Sequence, residues 1–168
     1  GEISSNAHLL KYDSIHGKSF EFISTSNDSI NVDGKEIFYS SIKDPSALPW
    51  KELNIDIVLE CSGVFTSKEL AHAHIDAGAK RVIVSAPTTN TDKTIVMGVN
   101  QNELSPKDLI ISNASCTTNC LAPIAMVLNN LFKIKSGIIN TIHAYTNDQN
   151  LLDMCHRDLY RARATNSS

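Results

Sequence analysis

Three short segments limit what this chain can fold into. Ile55-Asp56-Ile57-Val58-Leu59 is an apolar, β-branched run that reads as a buried strand, Lys68 to Gly78 carries helical spacing, and Val82-Ile83-Val84 is a second strand. Strand, helix and strand at this separation make a βαβ unit, which implies a parallel sheet and an α/β fold. Ser62-Gly63 supplies the turn out of the first strand. On the helix, Leu70, Ala73, Ile75 and Ala77 are available for packing, and Gly78 is a C-terminal stop. Ile95-Val96-Met97 and Leu109-Ile110-Ile111 are expected to continue the sheet.

Upstream, Glu2 to Asp13 reads as a helix and Phe20-Glu21-Phe22-Ile23 as a strand. Ser29-Ile30-Asn31-Val32 and Glu36-Ile37-Phe38-Tyr39 flank Asp33-Gly34, a strong hairpin signal. Asp44-Pro45 and Leu48-Pro49-Trp50 interrupt the pattern as a loop.

With 168 residues, 42% hydrophobic and 20% charged, the chain has room for one cored domain or parts of two. Its net charge of −3 and lack of a basic block give no support for nucleic acid as a partner. No apolar stretch has the length of a membrane span, and the first residues do not form a signal peptide. Cys61, Cys116, Cys120 and Cys155 show neither a CxxC pair nor a disulfide framework, so reduced thiols, no metal site and a cytoplasmic protein are expected. His72 and His74 are two apart on a helix and make poor co-ligands. They are read, with His8 and His16, as structural or solvent-facing, and Lys80-Arg81 as solvated surface.

The chemistry concentrates in Ser112-Asn113-Ala114-Ser115-Cys116-Thr117-Thr118-Asn119-Cys120-Leu121-Ala122-Pro123. The apolar run before it is a short strand. After it Leu121, Ile124, Ala125, Leu128, Leu131 and Phe132 recur at helical spacing, so Cys116 falls at a strand-to-helix turn. A helix N-terminus favours an anion, a thiol there ionises more readily, and the same N–H groups can donate to a developing oxyanion. Free cysteine is among the most buried residue types, but polar neighbours and a downstream base lower that reading here. The base is His143, in the mostly β-type run Gly137 to Thr146. Near the end of a following strand, it could return towards the helix start and form an activated Cys–His pair.

The Ser112–Pro123 stretch resembles the active-site signature of the phosphorylating glyceraldehyde-3-phosphate dehydrogenases. His143-Ala144-Tyr145-Thr146-Asn147-Asp148-Gln149 resembles the catalytic-histidine segment of the family's bacterial forms. Leu10 to Gly17, Ser62 to Thr66, Gly78 to Pro87 and His156 to Arg163 extend the resemblance along nearly the whole chain.

The resemblance implies the C-terminal part of a Rossmann-like dinucleotide-binding domain followed by the start of an α+β catalytic domain. Residues 1–115 would be a partial NAD-binding domain lacking its first βαβ unit, and 116–168 the start of a catalytic domain that stops in the S-shaped loop. No G-x-G-x-x-G turn opens a helix, so the expectation is an internal fragment, inactive alone. Cys116 would be the nucleophile and His143 its acid–base partner. Ser115, Thr117, Thr146 and Arg163, with Arg161 a further basic position, match positions that bind substrate phosphate or inorganic phosphate. Lys43, Thr66, Ser85 and Asn147 match nucleotide-contacting positions. NAD is the implied cofactor, with NADP the alternative, because Met154-Cys155 departs from the usual pair at a discriminating loop position. Glyceraldehyde 3-phosphate and inorganic phosphate are the implied substrates and a homotetramer the implied assembly. The alternatives are erythrose-4-phosphate dehydrogenase, a hydrolytic Cys–His enzyme and a non-catalytic thiol redox module.

Overall fold

The computed structural model describes residues 1–20 and 22–167. It divides into two compact units, Gly1–Cys116 and Thr117–Ser168. The first is a mixed α/β unit with two cores.

The smaller core forms at the start of the chain. Helix α1 (Ile3–Lys11) leads through the short ribbon β1 (Tyr12–Asp13) and β2 (Gly17–Lys18) to an antiparallel sheet of β3 (Ile23–Thr25), β4 (Ser29–Val32) and β5 (Lys35–Phe38). Ala7 of α1 packs with Ile30 and Val32, joined by Ile3, Phe20, Ile23 and Tyr39. The Asp33-Gly34 hairpin forms as its sequence predicts. Both turn residues have positive φ, 47° and 86°, as the turn that matches strand twist requires. The strand expected at Phe20 to Ile23 starts only at Ile23 and continues to Thr25; Glu21 lies outside the described residues.

The larger core belongs to the predicted parallel sheet. Strands β6 (Ile57–Glu60), β7 (Arg81–Val84), β8 (Lys93–Thr94) and β9 (Ile110–Ser112) pair in the spatial order β6-β7-β9-β8, all parallel. Helix α2 (Lys68–Asp76) makes the crossover from β6 to β7 and places Ala71 and Ile75 against Val82, Val84 and Ile110. The packing face of α2 is therefore Ala71, His74 and Ile75, while Leu70 is exposed. Strand β6, expected to be buried throughout, buries only Val58 and Glu60 and exposes Ile57 and Leu59 on its other face.

Two local departures have plain causes. The strand expected at Ile95 to Met97 ends at Thr94, because the Asn100 side chain takes the Val96 N–H at 2.9 Å and donates to the Thr94 carbonyl, bending the chain away. Arg81, read as solvated, instead reaches the carbonyls of Asp108 and Pro106 and ties β7 to the segment before β9.

The second unit contains nearly all of helix α3 (Cys116–Phe132) and a turn-rich segment ending in a short 3-10 turn at Leu159–Arg161. The strand expected over 137–146 is not formed among the described residues. A strand needs a hydrogen-bonded neighbour, and none pairs with this run; Ile138 and Ile142 are almost fully exposed.

Candidate active site

In an open parallel sheet the chain leaves every strand at the same edge, and ligands gather there. Three of the four strands deliver chemically useful residues to that edge. Strand β6 runs into Ser62-Gly63, β7 into Ser85-Ala86-Pro87, and β9 into Asn113 to Cys116. Backbone bonds hold these exits together. Ser85 N–H donates to the Glu60 carbonyl at 3.0 Å, and Asn113 N–H donates to the Val84 carbonyl at 2.9 Å.

Cys116 is positioned by the residues just before it. Ser112 is fully buried, and its hydroxyl donates to the Ala86 carbonyl at 2.8 Å while accepting the Ala114 N–H at 3.1 Å. Ala114 has φ of 59°, a left-handed conformation that a non-glycine residue adopts only when its surroundings enforce it. This reversal turns the chain from β9 directly into α3, whose first residue is Cys116. The thiol is exposed. Thr117 follows it in the first turn of a 17-residue helix, whose N-terminal dipole and N–H groups attract negative charge.

Thr66 lies in the connection between β6 and α2. Its carbonyl accepts the Thr89 N–H at 3.2 Å, and Lys68 N–H donates to the Thr89 carbonyl at 2.9 Å. Ser67 caps α2 by accepting the Leu70 N–H. Lys43 is exposed on the loop before Asp44, whose carboxylate accepts the Ser46 N–H and caps the 3-10 turn at Pro45–Ala47. Thus Ser85, Ser115 and Cys116 share the strand exits, Thr66 stands on the adjoining turn, and Lys43 belongs to a separate loop.

The remaining predicted residues belong to the second unit. His143 is exposed, with its Nδ1 against the Ala144 carbonyl. Thr146 N–H donates to Gln149 Oε1 at 2.7 Å, and Gln149 N–H returns to the Thr146 carbonyl at 3.0 Å, so Asn147 sits in a closed turn. Arg161 pairs with Asp148 and approaches Asp158, while Arg163 is exposed and donates to the Ser167 carbonyl. The Arg161 guanidinium beside Asp148 holds that carboxyl below its ordinary value.

Sequence reasoning missed one polar group at the sheet edge. Glu60, the last residue of β6, is buried and faces His74 of α2, which in turn faces Trp50. Burial pushes the Glu60 carboxyl up, but donation from the Ser62 hydroxyl, His74 and the Ser62 N–H outweighs it and leaves the group below its ordinary value. The available signals were a carboxylate closing an apolar strand and the chain's single tryptophan.

Residues 1–68 match the family model described as glyceraldehyde 3-phosphate dehydrogenase, NAD binding domain, and residues 115–168 match the C-terminal domain of the same family. The chain is 52% identical over 164 residues to the glyceraldehyde-3-phosphate dehydrogenase of Xanthobacter flavus, covering 98% of this chain and 49% of that protein. It is 51% identical over 168 residues to the Pseudomonas aeruginosa enzyme of that name, covering 100% and 50%. With the Geobacillus stearothermophilus enzyme it shares 54% identity over 163 residues, covering 96% and 49%. The chain spans about half the length of the curated relatives it matches. Two family models in the family's own order, and half identity from end to end of the chain, establish that it belongs to the glyceraldehyde-3-phosphate dehydrogenase family.

Proposed function

We propose that the protein containing this chain oxidises glyceraldehyde 3-phosphate to an acyl phosphate, with NAD as hydride acceptor and inorganic phosphate as co-substrate. The observation that carries the reading is Cys116 as the first residue of α3, reached from β9 through the left-handed Ala114. Residues 1–115 form the nucleotide-binding part and residues 116–168 belong to the catalytic part. The working assembly is a homotetramer in the cytoplasm.

The sheet edge fits a dinucleotide. Gly63 has φ of 74° with open space where a side chain would stand, which leaves the turn's peptides accessible. Ser62, Ser85 and Ser115 bring hydroxyls to the strand exits, and the Glu60 carboxylate beside them is turned inward on Ser62 and His74. Thr66, Ser85, Lys43 and Asn147 would hold the cofactor, which when bound accepts the hydride.

Cys116 acts as thiolate, stabilised by the helix N-terminus, and adds to the aldehyde carbon to give a hemithioacetal. Helix N–H groups stabilise the oxyanion as it forms. His143 removes and returns the proton at that oxygen. Loss of hydride leaves a thioester on Cys116 Sγ, and attack by phosphate releases the product and regenerates the thiolate. Ser115, Thr117, Thr146 and Arg163 bind the two phosphate groups, hydroxyls and a planar guanidinium being suited to them.

The test is NADH formation by the full-length protein given glyceraldehyde 3-phosphate and phosphate. Turnover is expected in the wild type and should be lost in Cys116→Ser. Replacing glyceraldehyde 3-phosphate by erythrose 4-phosphate should lower the rate; a faster reaction would reassign the substrate.

A further inference from the structure

The chain Trp50–His74–Glu60–Ser62 plays no part in the reaction just described, yet its polarity is fully specified. The Trp50 indole N–H can only donate, so His74 Nδ1, 3.0 Å away, accepts. The ring proton therefore sits on Nε2 and is donated to Glu60 Oε2 at 2.9 Å. Glu60 Oε1 accepts from both the backbone N–H of Ser62, at 2.7 Å, and the Ser62 hydroxyl. Phe65 closes over the imidazole edge-on, with ring centroids 6.1 Å apart. Glu60 and His74 are only 6% and 4% exposed, whereas Ser62 and Gly63 are at the surface.

A buried carboxylate is costly unless its partners are complete, and an apolar pair would stabilise a core at least as well. Here the charge is spent on one element, the turn that follows β6. The network roots that turn from below while Gly63 leaves its upper side open.

We propose that Glu60, oriented by His74 and Trp50, is a positioning residue that fixes the Ser62-Gly63 turn for the dinucleotide, and so governs NAD affinity and not the chemistry at Cys116. This rests on NAD being the cofactor. In Glu60→Gln the amide N–H must face either the Ser62 N–H or His74 Nε2–H, donor against donor, because Trp50 keeps His74 in one tautomer. Adding Trp50→Phe releases that constraint, since the proton can then move to Nδ1 and Nε2 can accept from the amide.

The experiment is calorimetric titration of the full-length protein with NAD, with folding checked by circular dichroism. Glu60→Gln should raise the Kd about tenfold, and the double variant Glu60→Gln/Trp50→Phe should recover part of that loss, where a packing role alone would make the two changes add. Iodoacetamide should alkylate Cys116 at about the same rate in wild type and variants. An unchanged Kd in folded Glu60→Gln, or additive losses in the double variant, would overturn the proposal. Should Glu60→Gln not fold, Ser62→Ala at the exposed end of the network decides: a Kd raised at least about threefold supports the proposal and an unchanged one sinks it. Failure of the wild type to bind NAD would remove the cofactor reading and this inference together. Tight binding by wild type and variants alike would remove only the inference.

Discussion

Ser112 and Ala86 lie 26 positions apart in sequence and meet through a single hydroxyl, Ser112 Oγ donating to the Ala86 carbonyl at 2.8 Å. The same oxygen accepts the buried N–H of Ala114, so one atom links the exit of β7 to the turn that starts α3. Ser112→Ala leaves the Ala114 N–H without that acceptor. It should lower stability by about 1–3 kcal/mol in urea unfolding of the full-length protein, and slow Cys116 alkylation at neutral pH. A variant matching wild type in both measurements would show that the hydroxyl does not hold the turn.

Cys116 and Cys120 are both exposed but stand at different turns of α3. Only Cys116 has the helix start, so iodoacetamide should modify it faster than Cys120 below neutral pH, read by mass spectrometry of peptides. His143→Asn should shift the Cys116 rate profile to higher pH. An unshifted profile would remove His143 from its assigned role.

Thr146 is held in a closed turn by Gln149. If its hydroxyl binds phosphate, Thr146→Ala should reduce kcat/KM for glyceraldehyde 3-phosphate by about tenfold or more, on the order of 1.4 kcal/mol, and affect unphosphorylated glyceraldehyde far less. Equal losses with the two substrates would place the contact elsewhere.

Gly78 ends α2 with φ of 108°, and a Cβ there would lie 2.5 Å from Lys51 Cβ and 2.7 Å from its Cα. Both the backbone conformation and the space exclude a side chain. Gly78→Ala should destabilise the protein by about 2–4 kcal/mol, measurable as a lower urea midpoint. Equal midpoints would show that the loop from Trp50 to Asn54 yields without cost.

Glu60 and Asp92 both have carboxyls held below their ordinary values of 4.5 and 3.8. Lys68 is the main cause at Asp92, with the N–H groups of Ile110 and Leu109 assisting against burial. A carboxyl depressed in the folded state stabilises it above the unfolded-state value, and that contribution is lost as pH falls through the folded-state value. Stability should therefore be level above about pH 5 and fall below 4.5, and Asp92→Asn should flatten the lower part of this loss. An acid unfolding curve unchanged by the substitution would discount Asp92.

Much of the first unit was legible in the sequence because its signals are local. The βαβ run and the Asp33-Gly34 hairpin announce themselves by period and turn chemistry, and the small polar residues around Cys116 mark a strand-to-helix turn. The buried residues of α2 were less legible. Leu70 is the more apolar choice, but His74 is buried because Glu60 and Trp50 complete its hydrogen bonds, a fact that only the folded chain supplies. The run over 137–146 shows the opposite limit: β-propensity describes fitness for a sheet and does not provide the neighbouring strand. The roles proposed for Lys43, Asn147 and Arg163 rest on family resemblance, since a polar residue in a loop carries no distinguishing pattern of its own.

The parallel pairing of β7 with β9 also sets a timetable. Val82 lies opposite Ile110, so at roughly 5–20 residues per second a ribosome needs about 1.5–6 s to supply the partner about 28 residues downstream. The Asp33-Gly34 hairpin, by contrast, joins strands two residues apart and can close within microseconds of leaving the exit tunnel. During the interval Val82 and Val84 have no partner on the β9 side, which makes this stretch of the nascent chain the place where a holdase chaperone would be expected to bind.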